Sequence, residues 1–225
     1  MPNNTALPEW ERLLSAAAHL QRILPDAVLV GGTAVATHLH HRFSVGADHT
    51  LNDLRGHFDE ILAQLESVAG WQTARIRKPV LILGSLDGIE TGVRQLIRET
   101  PLETMTIQTD DGSITIPTPA EMLRIKGILI LKRNATRDYL DFIAIAQSLG
   151  DNMVIDALKT FDQLYPQPND ESAYQQLQVQ LSNPLPYDFD DVDLSEYKHL
   201  VPELQNWEHI KELCGKVSLL LFRSK

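Results

Sequence analysis

The sequence predicts an α/β protein, with a mixed β-sheet core flanked by helices and a C-terminal helical part. Three observations predict it. Apolar residues at helical spacing open the chain, short β-rich segments separated by turn signals fill its middle, and the pattern turns helical from Thr118 onward. The change of pattern near residue 117 divides the chain into a core over residues 1–117 and a helical part over residues 118–225 packed on it.

Pro8 to Leu24 reads as an amphipathic helix, with Leu13, Leu14, Ala17, Leu20, Ile23 and Leu24 near one face. Val28 to Gly32 reads as a buried strand, Thr33 to His41 as a short helix, and Phe43 to Asp48 as a second strand or extended segment. Asn52-Asp53 begins a helix continuing to about Val68. Strands follow over Trp71 to Arg77, Val80 to Leu83, Ile89 to Ile97, Met105 to Gln108 and Ser113 to Ile116, with Asp87-Gly88 and Asp111-Gly112 as hairpin turns. Thr118-Pro119-Ala120-Glu121 is a capping-box sequence with proline at the first helical position. That helix runs to about Lys132. Asn134 is placed to cap the next, which ends at Gly150. Asp151 to Leu164 and Ser172 to Leu181 continue the helical pattern. Asn183 to Asp193 is rich in Pro and Asp and reads as irregular, and Trp207 to Phe222 closes the chain as a core-packing helix carrying Cys214.

The composition is that of a soluble globular protein, 43% hydrophobic and 22% charged over 225 residues. No apolar run has the length of a membrane span. Met1-Pro2-Asn3-Asn4-Thr5 lacks the basic flank and apolar core of a signal peptide. Cys214 is the sole cysteine, which excludes an intramolecular disulfide and suits a cytoplasmic setting. A formal net charge of -10 disfavours broad non-specific nucleic-acid binding but leaves room for a local basic site.

The richest chemistry lies between Val28 and Asp48. A strand ends in Gly31-Gly32, where a phosphate can approach the backbone and the N–H groups of a following helix. A glycine pair at a strand end serves a plain tight turn equally well. Residues two apart on a strand face the same way, so positions 46 and 48 address one site. Asp48 is an acid suited to a metal. Gly46 supplies no ligand, and such a site is half-built.

Val30-Gly31-Gly32-Thr33-Ala34, His41-Arg42, Ser44 and Asp48, followed by Ile125-Lys126 through Arg133 and by Arg137-Asp138-Tyr139-Leu140-Asp141, resemble the nucleotidyltransferase-toxin family of abortive-infection systems (AbiEii/AbiGii type). The likeness covers roughly residues 10 to 150 and departs from the family pattern at Gly46, where an acid is usual. The resemblance implies a nucleotidyltransferase-like fold. It implies transfer of a nucleotide from an NTP to a hydroxyl of RNA or protein with Mg²⁺, and an antitoxin partner. It assigns Asp48 to the metal and Gly31, Gly32, Thr33, Arg42 and Ser44 to the nucleotide. Lys126 falls to the triphosphate, with Asp141 holding or orienting it. The alternative is a degenerate nucleotidyltransferase fold serving as a nucleotide-binding or regulatory module.

Lys126 sits on or beside the apolar stripe of its helix, where a lysine must reach solvent or meet an acid. In an antiparallel hairpin turning at Arg133-Asn134, Lys126 and Asp141 lie level and can face each other. A salt bridge between packed helices explains that pairing as well as a catalytic role does. Asp138 is placed to pair locally with Arg133 or Arg137. Arg42, Lys132, Arg133 and Arg137 read as a solvated basic surface or a local patch for triphosphate or RNA. Glu90 reads as an exposed strand residue. His38, His40, His41 and His49 lack a metal-binding spacing such as HExxH and read mostly as surface residues.

Overall fold

The structure, a computed structural model, describes residues 8–224. The N-terminal segment read for a targeting signal lies outside them. The chain divides into two compact units. The first comprises residues up to Thr37 and Ser44–Thr118; the second comprises His38–Phe43 and the chain from Pro119 onward.

The first unit contains α1 (Pro8–Ile23), β1 (Val28–Leu29), the start of α2 (Gly31–Leu39), β2 (Ala47–Leu51), α3 (Phe58–Glu66), β3 (Trp71–Arg77), β4 (Leu81–Leu86), β5 (Ile89–Gln95), β6 (Thr104–Thr109) and β7 (Gly112–Pro117). Five strands form one mixed sheet in the order β1-β2-β5-β4-β3, and β6 and β7 form a separate hairpin. Within the sheet β2 runs parallel to β5 and the other neighbours are antiparallel. Alternation assigns the faces. Leu51, Ile82, Leu86 and Val93 pack against Leu20 and Leu24 of α1 and Phe58 and Leu65 of α3. Removing these side chains from water supplies the main drive for closing the unit. The opposite face carries Asp48 and Thr50 of β2, Glu90, Gly92 and Arg94 of β5, and Leu81, Leu83 and Ser85 of β4. Gly92 is forced by close approach, because a Cβ there would lie 2.5 Å from Leu83 Cδ2 and 2.7 Å from the Ile82 carbonyl.

Several boundaries differ from the sequence expectation because specific hydrogen bonds compete with the expected elements. The segment after β2 is a turn, and α3 starts only at Phe58. The Asp53 carboxylate accepts from Gly56 N at 2.9 Å, and Gln95 bonds both Arg55 N and the Asn52 carbonyl. The Asp53 bond competes locally with helix formation, and Gln95, at the end of β5, fixes the turn from far along the chain. β2 begins at Ala47 rather than Phe43, whose N–H donates to the Lys198 carbonyl at 2.8 Å within the second unit.

The second unit contains α4 (Pro119–Arg133), α5 (Thr136–Leu149), α6 (Asp151–Leu158), α7 (Phe161–Leu164), α8 (Ala173–Ser182) and α9 (Trp207–Arg223), with short 3-10 turns between α8 and α9. The expected helix from Asp151 to Leu164 is broken at Thr160, beyond which Phe161 turns fully into the core. The expected Asn134 cap is also replaced. Asn134 adopts φ +46°, and Asp188 caps α5 instead, accepting from both Thr136 N and its hydroxyl at 2.8 Å. The Thr118 N–H donates to the Glu103 carbonyl, while Glu121 pairs with Arg124 at 2.9 Å. Cys214 is buried between helices, and burial pushes its thiol up to about 12. No helix among the described residues is long and apolar enough to cross a membrane.

Candidate functional site

In the first unit, β1 leads directly into the glycine pair. Val30 N donates to the Asp48 carbonyl at 2.8 Å, and the Thr33 hydroxyl donates to the Gly46 carbonyl at 2.5 Å. These two bonds bring the N-terminus of α2 against the segment that carries positions 46 and 48. Gly31 takes φ +77°, a conformation natural to glycine and strained for other residues. Thr33 is fully buried with its hydroxyl committed to Gly46; Ser44 is half-buried.

Asp48 stands on the open face of the sheet with its side chain 43% exposed, and Arg94 Nη2 lies 3.4 Å from its carboxylate. Gly92, its register partner on β5, has no side chain of its own, and Leu83 of β4 packs over it. Glu90 lies one step along the same face. A Cβ at position 46 would stand 4.0 Å from Glu90 Cβ and 3.5 Å from its carbonyl oxygen. Glu90 is exposed, as the sequence suggests, and it also adjoins position 46. Sequence reasoning had no means to place it there, because the parallel register of β2 with β5 is set across an intervening hairpin.

Asp48 and Glu90 are hard oxygen donors on one open face, the chemistry Mg²⁺ takes when substrate phosphates and water complete its shell. No cluster of three or more His, Cys, Asp or Glu side chains fit to hold a metal occurs among the described residues.

Just beneath this face, His49 points the other way. It is fully buried, and neither ring nitrogen has a well-formed hydrogen bond among the described residues. The expectation of a surface histidine is wrong here, because strand alternation turns residue 49 into the apolar face whenever Asp48 faces out. Burial, offset only slightly by the Ala47 backbone, pushes His49 down to about 4. The unfolded chain therefore binds this proton below about pH 6.5 while the fold resists it until about pH 4, so stability falls across that window as pH drops. Urea unfolding is expected to show about 2 kcal/mol lost from this residue between pH 7 and pH 5. His49→Leu is expected to remove that part of the slope; an unchanged slope would assign it elsewhere.

The other site residues predicted from sequence lie in the second unit and form a buried ionic network. Asp141, fully buried, accepts from His41 Nε2 at 2.7 Å and from Arg42 Nε and Nη2 at 2.7 and 2.9 Å, and pairs with Lys126 Nζ at 2.6 Å. Asp138, also fully buried, pairs with Lys126 at 3.2 Å and with the Arg133 guanidinium. Lys126 is 1% exposed and Arg42 6%. His41 is buried rather than on the surface because its ring is drawn onto Asp141. Burial alone would raise Asp141, but Arg42, Lys126 and His41 outweigh it and hold the carboxyl well below its usual range. Burial likewise opposes the charge on Arg42, and Asp141 overrides it to hold the guanidinium above its usual value. Asp138 is held low by Arg133 and Lys126 against the same penalty of burial. Two backbone bonds, Phe43 N to the Lys198 carbonyl and Val201 N to the His41 carbonyl, complete the seating of the 38–43 segment in this unit.

The second unit also holds an open cavity of about 640 Å³ lined by Phe189, Trp207, Asp190, Asp191, Asp193 and Glu196 among others. Its carboxylates repel a triphosphate.

No family model matches the chain. Among solved structures, a provisionally assigned nucleotidyltransferase from H. pylori superposes with a TM-score of 0.54 at 14% identity, over 95% of this chain and 96% of that one. The antibiotic-resistance factor ANT(2'')-Ia aligns over 68% of this chain and 91% of its own, with a TM-score of 0.47 at 13% identity. By sequence, the chain is 31% identical over 128 residues to the mycolic acid-containing lipids exporter MmpL11 of Mycolicibacterium smegmatis, covering 55% of this chain. It is 29% identical over 127 residues to the heme uptake protein MmpL11 of Mycobacterium tuberculosis. The chain spans about 13% of the length of these curated relatives. The mixed sheet flanked by helices is thus a nucleotidyltransferase-like fold.

Proposed function

We propose that the protein binds an NTP with Mg²⁺ at the edge of the first-unit sheet and belongs functionally with the nucleotidyltransferases. The observation that carries this reading is the pair of bonds from Val30 to Asp48 and from Thr33 to Gly46, which join a helix N-terminus and an acid-bearing strand. The N–H groups of Gly31 and Gly32 at the start of α2 suit phosphate, and Asp48 with Glu90 would hold Mg²⁺ against it. Bound there, the metal would neutralise charge on the phosphates. Thr33 acts in this reading by fixing the glycine turn to Gly46, and Ser44 flanks the same strand. In a transfer reaction an acceptor hydroxyl oxygen gives up its proton to solvent and attacks the α-phosphorus, the new P–O bond forms, and pyrophosphate departs with the electrons of the broken P–O bond.

The toxin-type reading gives that hydroxyl to RNA or protein and adds an antitoxin partner; the motif likeness around Gly31-Gly32, His41-Arg42 and Lys126 supports it. Gly46 favours the second reading, a nucleotide-binding or regulatory module in which transfer is weak or absent. In either, the buried bonding of Arg42, Lys126 and Asp141 supports a role in holding the 38–43 segment, between the glycine turn and Asp48 in sequence, rather than direct contact with triphosphate. Calorimetric titration with each NTP, with Mg²⁺ and with chelator, tests the common core of both readings. Labelled-nucleotide transfer to RNA or protein separates them.

A further inference from the structure

The motif likeness assigns Arg42 to the nucleotide and Lys126 to the triphosphate. Both are buried, and their charges are already met by Asp141 and Asp138. A triphosphate beside Asp48 needs a cation that is exposed, near the metal ligand and on the same face of the sheet. Arg94 meets these three conditions. Its side chain is 47% exposed, its Nη2 lies 3.4 Å from Asp48 Oδ2, and the β2–β5 register sets it opposite Thr50, one step along the face from Asp48. Gly92 carries no side chain between them, and the Leu83 side chain packs over its Cα, so an apolar floor rather than a competing polar group lies beneath Asp48 and Arg94. The long, weak geometry with Asp48 costs little to exchange for a phosphate, because half-exposed ion pairs contribute little and arginine binds phosphate oxygens through paired N–H groups.

Resting on the nucleotide-binding reading above, we infer that Arg94 is the triphosphate-binding cation of this site, released from Asp48 when Mg²⁺ takes the carboxylate. Arg75 and Arg77 share the open face but stand on β3, three strands from β2. Three strand spacings put them about 14 Å away, beyond direct reach of a phosphate at Asp48.

The test is calorimetric titration of Mg-ATP and of AMP into the full chain and into Arg94→Gln, Arg94→Lys, Arg75→Gln and Asp48→Asn, with thermal unfolding to verify folding. Arg94→Gln is expected to weaken Mg-ATP binding about 10- to 100-fold and AMP binding little. Arg94→Lys is expected to recover part of the loss, and Arg75→Gln, which removes the same charge, to bind as the parent does. Parent-like Mg-ATP affinity in Arg94→Gln, with binding lost in Asp48→Asn, would overturn the Arg94 assignment and leave the nucleotide site standing. An equal loss in Arg75→Gln would reduce the effect to net charge and overturn it too. A parent protein that binds no nucleotide would sink both.

Discussion

Asp141→Ala is expected to destabilise the protein by about 3–5 kcal/mol, the largest stability change we predict for one side chain. The reason is what remains after the carboxylate is gone. Asp141 is the shared acceptor for Arg42, Lys126 and His41, all buried. Its removal leaves a guanidinium and an imidazole without their acid in a site water does not reach. Lys126 would keep Asp138, and Asp138 would keep Arg133, so part of the network survives. The lost partner also released His41 and Arg42, the side chains that seat residues 38–43 among the helices. At roughly 2–4 °C per kcal/mol for a chain of this size, the thermal midpoint is expected to fall by about 10 °C. Lys126→Met is expected to do less damage, because Asp141 retains Arg42 and His41. Its effect on nucleotide affinity is the more informative part. A variant that loses stability but binds Mg-NTP as before supports the structural role; one that keeps stability and loses binding would return Lys126 to the triphosphate. The depressed pKa of Asp141 adds a pH signature. Its contribution is present above the unfolded carboxylate value of about 4 and is lost as pH falls through the lower folded value.

Gly46→Asp is expected to fold normally and to raise affinity for Mn²⁺ or Mg²⁺ with NTP by about tenfold or more. Sterically the site is open. A Cβ at position 46 meets nothing closer than 3.5 Å, and Gly46 does not use the left-handed backbone that would penalise a side chain. Electrostatically the new carboxylate joins Asp48 and Glu90 on one face, which repel one another until a cation arrives. The expected pattern is therefore slightly lower stability without metal, higher stability with it, and transfer of labelled nucleotide where the parent shows little. A fully folded Gly46→Asp variant with unchanged metal and nucleotide affinity would argue against a metal site on this face. Gly92 is no alternative place for an added acid, since a Cβ there collides with Ile82 and Leu83.

How much of this was legible before the fold was known depends on distance along the chain. The run of strands from Trp71 to Pro117 follows from local alternation and turn chemistry. Asp87-Gly88, for example, turns with both residues at positive φ. The Lys126–Asp141 pairing was also legible, because a short helical hairpin sets which positions face each other, and Nζ and Oδ2 stand 2.6 Å apart. The third partner was not. His41 and Arg42 lie 100 and 99 residues from Asp141, and nothing in a local pattern says that a segment between α2 and β2 should fold in with the C-terminal helices. The Asp188 cap on α5 comes from 52 residues away for the same reason. The candidate site divides along the same line. Gly31, Gly32 and Asp48 are near in sequence and were picked out together. Glu90 and Arg94 became visible only through the parallel register that sets Asp48 beside Gly92. The fold itself agrees with the α/β expectation, with a nucleotidyltransferase-like sheet as its core.

The central claim is that nucleotide binds where the glycine turn meets the Asp48 strand. Its most direct test is calorimetric titration of Mg-NTP into the parent protein and into Asp48→Asn, each verified as folded. We expect saturable, Mg²⁺-dependent binding by the parent and a loss of at least tenfold in Asp48→Asn. Equal binding by the two proteins, or no binding of any NTP by the parent, would contradict it.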